Sequence, residues 1–229
     1  MIKFLLLFIV PFLISILGGR NSISRNNKKL LNNSTLLTEP ILKSLTQRLS
    51  NILETPQIPV WIHEVNVFNG LATSEGKIFL TRGALDAFYS GTVTAEELSS
   101  IIAHELGHVA LGHSRRRMID FTMQNALRVV LSFAISRFIP ALGTYIANLV
   151  ISLVASKLSR KDEYEADAYA AALLSKAGIG TTPQINLLRK LEALSKNDDV
   201  VPEWLMSHPK TSDRIMAITN LTEKWYKTN

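Results

Sequence analysis

The chain has 229 residues, of which 47% are hydrophobic, so it is long enough for one domain with a sizeable core. It contains no cysteine, which excludes disulfide bonds, cysteine-ligated zinc and a lipid-modified N-terminal cysteine. The net charge is +6, and the basic residues are scattered apart from a cluster within residues 20–29 and the run Arg115-Arg116-Arg117. No aromatic residues interleave with these two runs, so we expect no nucleic-acid partner.

The first 36 residues predict a membrane-directing segment followed by a tether. Residues 4–17 are apolar and follow Lys3, so residues 1–19 are typical of a signal peptide or an uncleaved signal anchor. The positive charge after this segment favours a cytoplasmic C-terminal side, whereas an export signal favours the opposite side. We expect association with the membrane of a bacterial-type envelope, with the periplasmic side favoured. Residues 20–36 are rich in Asn, Ser, Lys and Arg and predict a flexible tether.

The next segment predicts a helix and a small sheet. Residues 39–52 have a helical pattern, while residues 59–68 and 77–80 carry the β-branched and aromatic residues of strands. Turn signals occur at Asn69-Gly70 and Glu75-Gly76.

The sequence His104-Glu105-Leu106-Gly107-His108 has the H-E-x-x-H spacing of a zinc-binding helix. Thr94 and Glu97 form a potential capping box, and helical periodicity continues to about Leu111. Histidines one turn apart can bind one ion, and the glutamate beside them can take a proton from a water at the metal. The alternative is an amphipathic helix with two surface histidines. Gly107 within the helix predicts a close neighbour.

A second apolar region lies within residues 122–158. It predicts a helical hairpin over residues 129–155, with a break at Phe138-Ile139-Pro140. Two interpretations remain open: the hairpin dips into a bilayer, or it packs on the protein as one wall of a substrate groove. A polar stripe marks its second arm: Thr144, Asn148 and Ser152.

A further helix is predicted from Lys161 to about Lys176. Its Glu163 and Asp167 share one face, so the first could complete a His₂Glu zinc site while the second accepts the ring N–H of a ligating histidine. The alternative is that these acids only stabilise a solvated helix N-terminus.

Two more helices follow. One begins at Thr182-Pro183, and the other begins at Thr211 or Ser212. The residues predicted to face the core are Leu187, Leu188, Leu191 and Leu194 in the first, and Ile215, Ile218, Leu221 and Trp225 in the second.

From about Trp61 to Trp225 the chain resembles the HtpX/BepA-like zinc metalloendopeptidases, which are relatives of the CAAX prenyl proteases and of a mitochondrial inner-membrane peptidase. The motifs that carry this resemblance are residues 76–85, His104–His108 with Gly112-His113-Ser114, Ser159-Arg160 before Glu163 and Asp167, and Ser207-His208-Pro209 before Arg214. One departure is Asn69-Gly70-Leu71, where the family often has Asn-Ala-Phe.

The resemblance implies a fold class and a set of site residues. The fold would be α+β but mainly α, a zincin-type domain over residues 37–229 with a small sheet beside the zinc helix and the apolar hairpin inserted. One Zn²⁺ per chain would be bound by His104, His108 and Glu163. The catalytic residues would be Glu105 as general base, Asp167 as a supporting acid, His208 as a resting fourth ligand or oxyanion stabiliser, and Arg214 as a structural or transition-state partner.

The predicted function is that of a zinc-dependent endopeptidase that cleaves membrane or envelope proteins in quality control. Its partners would be unfolded or misassembled proteins and the lipid surface, and the oligomeric state stays open. An exposed edge strand within residues 69–75 is predicted to pair with an extended substrate. Two alternatives remain: a membrane-tethered zinc-binding chaperone or adaptor with latent protease activity, and a processing peptidase with a single substrate.

Overall fold

The computed structural model describes residues 27–73, 75–113, 116, 127, 131–133, 135–139, 142–197, 204–205, 208 and 211–228. Contacts divide the chain into two compact units. One comprises Lys29–Leu111 and Asp162–Asn229, and the other comprises Met1–Lys28 and Gly112–Lys161. The predicted signal segment and the first part of the predicted tether lie outside the described residues.

A four-stranded mixed sheet belongs to the first unit. Its strands are β1 (Ser34–Leu36), β2 (Val60–His63), β3 (Gly70–Ala72) and β4 (Ile78–Thr81), in the spatial order β1-β2-β4-β3. The central pair is parallel, with Val60 opposite Ile78, and both edge strands are antiparallel to their neighbours.

Two sequence predictions for this region require correction. Ser34–Leu36 falls within the predicted tether but pairs with β2. The polar composition of this segment does not predict a strand, because its pairing with β2 is made by the backbone and not by its side chains. The strand predicted over residues 59–68 ends at His63, where the N–H of Val65 donates to the carbonyl of His63 and turns the chain.

Three helices of this unit each begin with a capping residue. Helix α1 is Pro40–Ile52, with Glu39 as its N-cap, and α2 is Arg82–Tyr89, capped by Thr81. Helix α3 is Ala95–Ala110, and both hydrogen bonds of the Thr94–Glu97 capping box are present. Helix α3 contacts α1, β3 and β4. The helix that carries the H-E-x-x-H sequence is therefore held at the centre of the core.

The remaining helices are α4 (Gly143–Lys176), α5 (Thr182–Asn197) and α6 (Thr211–Thr228). The second arm of the predicted hairpin and the helix predicted from Lys161 are one continuous element, because no proline or glycine interrupts residues 144–176. The predicted break before it contains a turn at residues 137–138, and part of the first arm lies outside the described residues. Within the described part of the chain, no helix is both long and apolar enough to cross a membrane.

The core of the first unit surrounds α3. Leu98, Ile101 and Ile102 are almost fully buried, as are Leu187, Leu188 and Leu191 of α5. Leu194 was predicted to face this core but is 41% exposed near the end of α5. The described structure is mostly helical with a small mixed sheet, in agreement with the α+β, mainly α class.

Candidate metal centre

Helix α3 presents its two histidines to a common point inside the protein. His104 and His108 are 2% and 4% exposed, and their Nε2 atoms are 3.1 Å apart. Their rings are nearly perpendicular, at 83°. One helical turn separates the two residues, which explains why both rings lie on one side of α3. The interpretation of surface histidines is wrong, because both side chains are buried.

Helix α4 adds a carboxylate to the same point. The Glu163 oxygens lie 3.4 Å from His104 Nε2 and 3.5 Å from His108 Nε2. Two ligand atoms that each lie about 2.0–2.1 Å from a tetrahedral zinc ion are separated by about 3.4 Å. The three side chains therefore have the donor types and the spacing of a zinc site. The interpretation of Glu163 as an exposed acid at a helix start is wrong, because it is 2% exposed in mid-helix.

Gly107 allows α3 and α4 to approach each other at this point. A Cβ atom at Gly107 would lie 3.0 Å from both the Cα and the carbonyl oxygen of Ala166. Ala166 is fully buried between Glu163 and Asp167 in the sequence. The prediction of a close neighbour at Gly107 is confirmed, and the neighbour is the backbone of α4.

Asp167 links the first histidine to a buried arginine. Its Oδ1 atom lies 2.9 Å from His104 Nδ1, while Arg214 donates to both of its oxygens, at 2.6 and 2.8 Å. Burial raises the pKa of Asp167, but Arg214 and His104 outweigh burial and hold the pKa below its ordinary value. An ionised Asp167 accepts a hydrogen bond from the N–H at His104 Nδ1, which directs the lone pair of Nε2 toward Glu163 and His108.

Arg214 has several partners in this network. It is 1% exposed, donates to the carbonyl of His208 at 3.0 Å and lies 3.7 Å from Glu163. Burial lowers the pKa of Arg214, yet Asp167 and Glu163 raise it overall. Arg214 thus connects the acid of α4 to the segment that carries His208.

His208 approaches the cluster from outside the two ligand-bearing helices. Its Nε2 atom is 3.6 Å from Glu105 Oε1 and 4.0 Å from Glu163 Oε2, and its Nδ1 lies 3.1 Å from the carbonyl of Trp204. Burial, followed by the charge of His104, lowers the pKa of His208 to about 3. A neutral imidazole can offer a lone pair to a cation. Four side chains could together hold an ion: His104, His108, Glu163 and His208.

The acids and histidines bind protons competitively with any cation. Burial alone would lower the pKa of His104, but hydrogen bonds to Asp167 and Glu163 raise it to about 9. Burial would raise the pKa of Glu163, but His104 and His208 lower it to about 2. A cation at Nε2 of His104 displaces the proton that would otherwise lie between these groups, so binding of metal releases protons.

Two residues of this network were missed by sequence reasoning. Gln184 of α5 is 4% exposed and donates 3.3 Å hydrogen bonds to the carbonyl and to Oδ1 of Asp167. Trp204 stacks on His208 at 4.9 Å with a 20° angle between the rings, and Arg214 lies 4.9 Å from its ring centre. Neither residue belongs to a sequence motif, so no local pattern marks Gln184 or Trp204 as part of the site.

Family comparison adds to this geometry. The model of peptidase family M48 matches residues 37–222. The chain belongs to peptidase family M48. The structure brings every predicted site residue of this metalloprotease into one buried cluster, and the roles of the individual residues stay predictions.

Several relatives support this assignment. The chain is 28% identical to metalloprotease LoiP of Escherichia coli over 177 residues, which cover 77% of this chain and 68% of LoiP. It is 26% identical to the mitochondrial metalloendopeptidase OMA1 of Danio rerio over 81% of this chain but only 40% of OMA1. A protease HtpX homolog of Variovorax paradoxus is 25% identical over 82% of this chain and 80% of that protein. These relatives support the general activity of a metalloprotease.

The departure at Asn69-Gly70-Leu71 has a local explanation. A Cβ atom at Gly70 would lie 2.3 Å from Cγ2 of Ile101 on α3. The Ile101 methyl group therefore occupies the space that a larger residue at position 70 would need. The strand β3 keeps its pairing with β4 at this position, where Gly70 is opposite Leu80.

Proposed function

We propose that this metalloprotease is a zinc-dependent endopeptidase in which Glu105 acts as general base. The observation that supports the proposal is the buried triangle of His104, His108 and Glu163, whose atoms have the separations expected around one zinc ion. Glu105 lies on α3 between the two histidines and is itself 3% exposed.

The residues have distinct tasks in this reaction. Bound zinc supplies a Lewis acid that polarises the scissile carbonyl and lowers the pKa of water to about 7. Glu105 takes the proton from the attacking water and passes it to the leaving amine. Asp167 and Arg214 keep His104 in the tautomer whose Nε2 faces the cluster.

Replacement of the base tests the proposal directly. We expect Glu105→Gln to reduce casein cleavage by about 10²–10⁴-fold, because proton transfer by a positioned base contributes that much. Zinc content should stay at one ion per chain, since Glu105 is not among the predicted ligands. Glu96→Gln, at an exposed position of the same helix, is the matched control and should keep full activity. Near-normal turnover by Glu105→Gln would remove Glu105 from this role.

We further propose that an extended segment of substrate pairs with β3. This strand is at one edge of the sheet and contacts α3, which carries the cluster. An unpaired strand edge offers backbone hydrogen bonds to an extended chain. Prolines at alternate positions between residues 69 and 75 should reduce the rate of cleavage while the melting temperature changes little. Full activity in all of these variants would contradict the pairing.

The substrates that best fit such a site are unfolded or misassembled membrane or envelope proteins. The cluster is buried, so only a locally extended chain can bring a peptide bond to it. Reduced and alkylated lysozyme should therefore be cleaved, whereas native lysozyme should resist. Cleavage of one specific peptide bond and of nothing else would instead favour a processing peptidase. Fractionation of cells that express the full chain tests the proposed location at the envelope membrane and its periplasmic side.

One observation supports a latent form of the enzyme. His208 can join the three ligands, and its segment is tied to the protein by the N–H of Trp204, which donates to Phe68 just before β3. If His208 holds the ion in a resting state, His208→Ala should increase casein cleavage. If His208 stabilises the oxyanion, the same change should decrease cleavage. A zinc-loaded protein that binds unfolded chains but shows no cleavage, even after this change, would favour the chaperone or adaptor alternative.

A further inference from the structure

Large apolar side chains are exposed in the second unit of the molecule. Phe138 is 83% exposed in the turn before α4, and Phe133, five residues earlier in the sequence, is 68% exposed. Within the first half of α4, Tyr145 and Leu153 are 69% and 62% exposed. Single exposed apolar residues are ordinary, but a contiguous group marks a surface for binding.

The exposed residues of α4 follow a helical repeat. Leu142, directly before α4, and Tyr145, Leu149 and Leu153 within it are spaced by three or four residues, so they form a stripe along one side, which we call the apolar stripe. Ala147 and Ile151, between them in sequence, are buried instead. This part of the helix therefore has a buried apolar side and an exposed apolar stripe, and the stripe lies beside the exposed polar residues Thr144, Asn148 and Ser152. Folding of the chain explains the buried side but not the exposed stripe.

The charged residues that flank the apolar stripe in the sequence have one sign. Residues 121–161 contain no aspartate or glutamate, whereas five residues of this segment are cationic: Arg128, Arg137, Lys157, Arg160 and Lys161. Arg137 is exposed and directly precedes Phe138. A surface that combines apolar side chains with positive charge complements an anionic lipid bilayer. A second copy of the chain would bring the same positive charges together, which opposes association.

We propose that the apolar stripe, together with Phe133 and Phe138, binds a bilayer that contains anionic lipids. The aromatic and aliphatic side chains enter the boundary between headgroups and acyl chains, and Arg137 pairs with headgroup phosphates. This binding goes beyond the proposed peptidase activity, because it requires neither zinc nor Glu105.

The absence of cysteine from the chain allows a local test in the full-length protein. In Phe138→Cys, the new thiol is labelled with the environment-sensitive dye NBD and mixed with vesicles of phosphatidylcholine and phosphatidylglycerol. We expect emission to shift to shorter wavelength and to be quenched by doxyl-labelled lipid. Tyr89→Cys, at an aromatic position that is 61% exposed in the other unit, is the matched control and should show neither effect.

The charge requirement is tested in the same way. Pure phosphatidylcholine vesicles, or addition of Arg137→Gln to the labelled variant, should reduce the spectral response because the attraction to anionic headgroups is lost. The local dye is needed because residues 4–17 could bring the whole chain to a vesicle without contact at position 138.

Three results would overturn the proposal. They are no spectral change at position 138 with anionic vesicles, an equal change at positions 138 and 89, and a shift without lipid that grows with protein concentration. The last would show that a second copy covers the surface. Casein cleavage by the same labelled protein, measured in parallel, separates these failures from any failure of the peptidase proposal.

Discussion

The two halves of helix α4 use apolar residues in opposite ways. Its first half exposes Leu149 and Leu153 by 49% and 62%, while in its second half Ala166, Ala170 and Leu174 are fully buried. The buried half contains alanines at positions 166, 168, 170, 171 and 172, and its backbone at Ala166 closely approaches α3 at Gly107. Apolar character alone therefore does not locate the core, because leucines are exposed in one half of α4 and buried in the other.

Loss of the α4 ligand should have the largest effect. We expect Glu163→Gln to lose both bound zinc and casein cleavage, because one of three protein ligands is removed. Glu165→Gln, two residues along the same helix, points in another direction and should keep both. Retention of equimolar zinc by Glu163→Gln, measured by atomic emission, would mean that the buried half of α4 does not bind the metal.

The buried acid of α4 should have the next largest effect on stability. Asp167→Asn should reduce the free energy of unfolding by about 3–5 kcal/mol, because the buried charge of Arg214 loses the carboxylate to which it donates two hydrogen bonds. The exposed change Asp86→Asn should alter it by less than about 0.5 kcal/mol. Urea titrations of the metal-free proteins would measure both values. Equal midpoints would contradict a buried ion pair.

The pH dependence of stability follows from the same pair. Because the folded pKa of Asp167 lies below its ordinary value of 3.8, its stabilising contribution is present above about pH 4 and is lost as the pH falls. Glu163, with a pKa of about 2 against an ordinary 4.5, contributes in the same direction. The urea midpoint of the metal-free protein should fall between pH 5 and pH 2. Asp167→Asn should show a shallower fall, and an unchanged slope would exclude Asp167 as a source.

A matched pair of leucines tests whether the two halves of α4 differ in how tightly they are packed. Leu174→Ala should reduce the free energy of unfolding by about 2–5 kcal/mol, because it creates a cavity in the core. Leu153→Ala, in the same helix, should change it by less than about 0.5 kcal/mol. Similar losses for the two variants in thermal unfolding would show that the first half of α4 is packed as tightly as the second.

The contact between α3 and α4 at Gly107 predicts a smaller change in stability, and the sign of this change distinguishes helix packing from helix propensity. Gly107→Ala should destabilise the protein by about 1–3 kcal/mol, since the added methyl group meets the backbone at Ala166. Helix propensity alone would stabilise the same variant by about 1 kcal/mol. A rise in melting temperature would therefore show that α3 and α4 are not in close contact.

The smallest effect is expected from Gln184. Gln184→Met keeps the shape of the side chain but removes two hydrogen bonds to Asp167, at a cost of about 1 kcal/mol. We expect slightly lower stability and weaker zinc binding, with the residual activity per bound zinc unchanged. An activity loss as large as that of Glu105→Gln would assign Gln184 a direct part in the reaction.

Local sequence signals predicted the helices that begin with strong caps. The capping box at Thr94 sets the start of α3 because it satisfies free N–H groups of the helix terminus, and Pro40 suits the start of α1 because it has no N–H to leave unpaired. The strand β1 and the continuity of α4 were not predicted. The formation of β1 depends on its pairing partner β2. The absence of proline and glycine from residues 144–176 permits one continuous helix but does not require it.

The sequence by itself determined the chemistry of the candidate site, since the spacing His104–His108 places two imidazoles on one turn wherever a helix forms. Helix geometry also excluded Glu163 and Glu165 from serving the same site, because they point in different directions, and the family resemblance favoured Glu163. Tertiary structure decided which half of α4 packs against α3 and which remains exposed. It also decided that Gln184 and Trp204 support the site, since contacts between residues distant in sequence depend on packing, which no local pattern encodes.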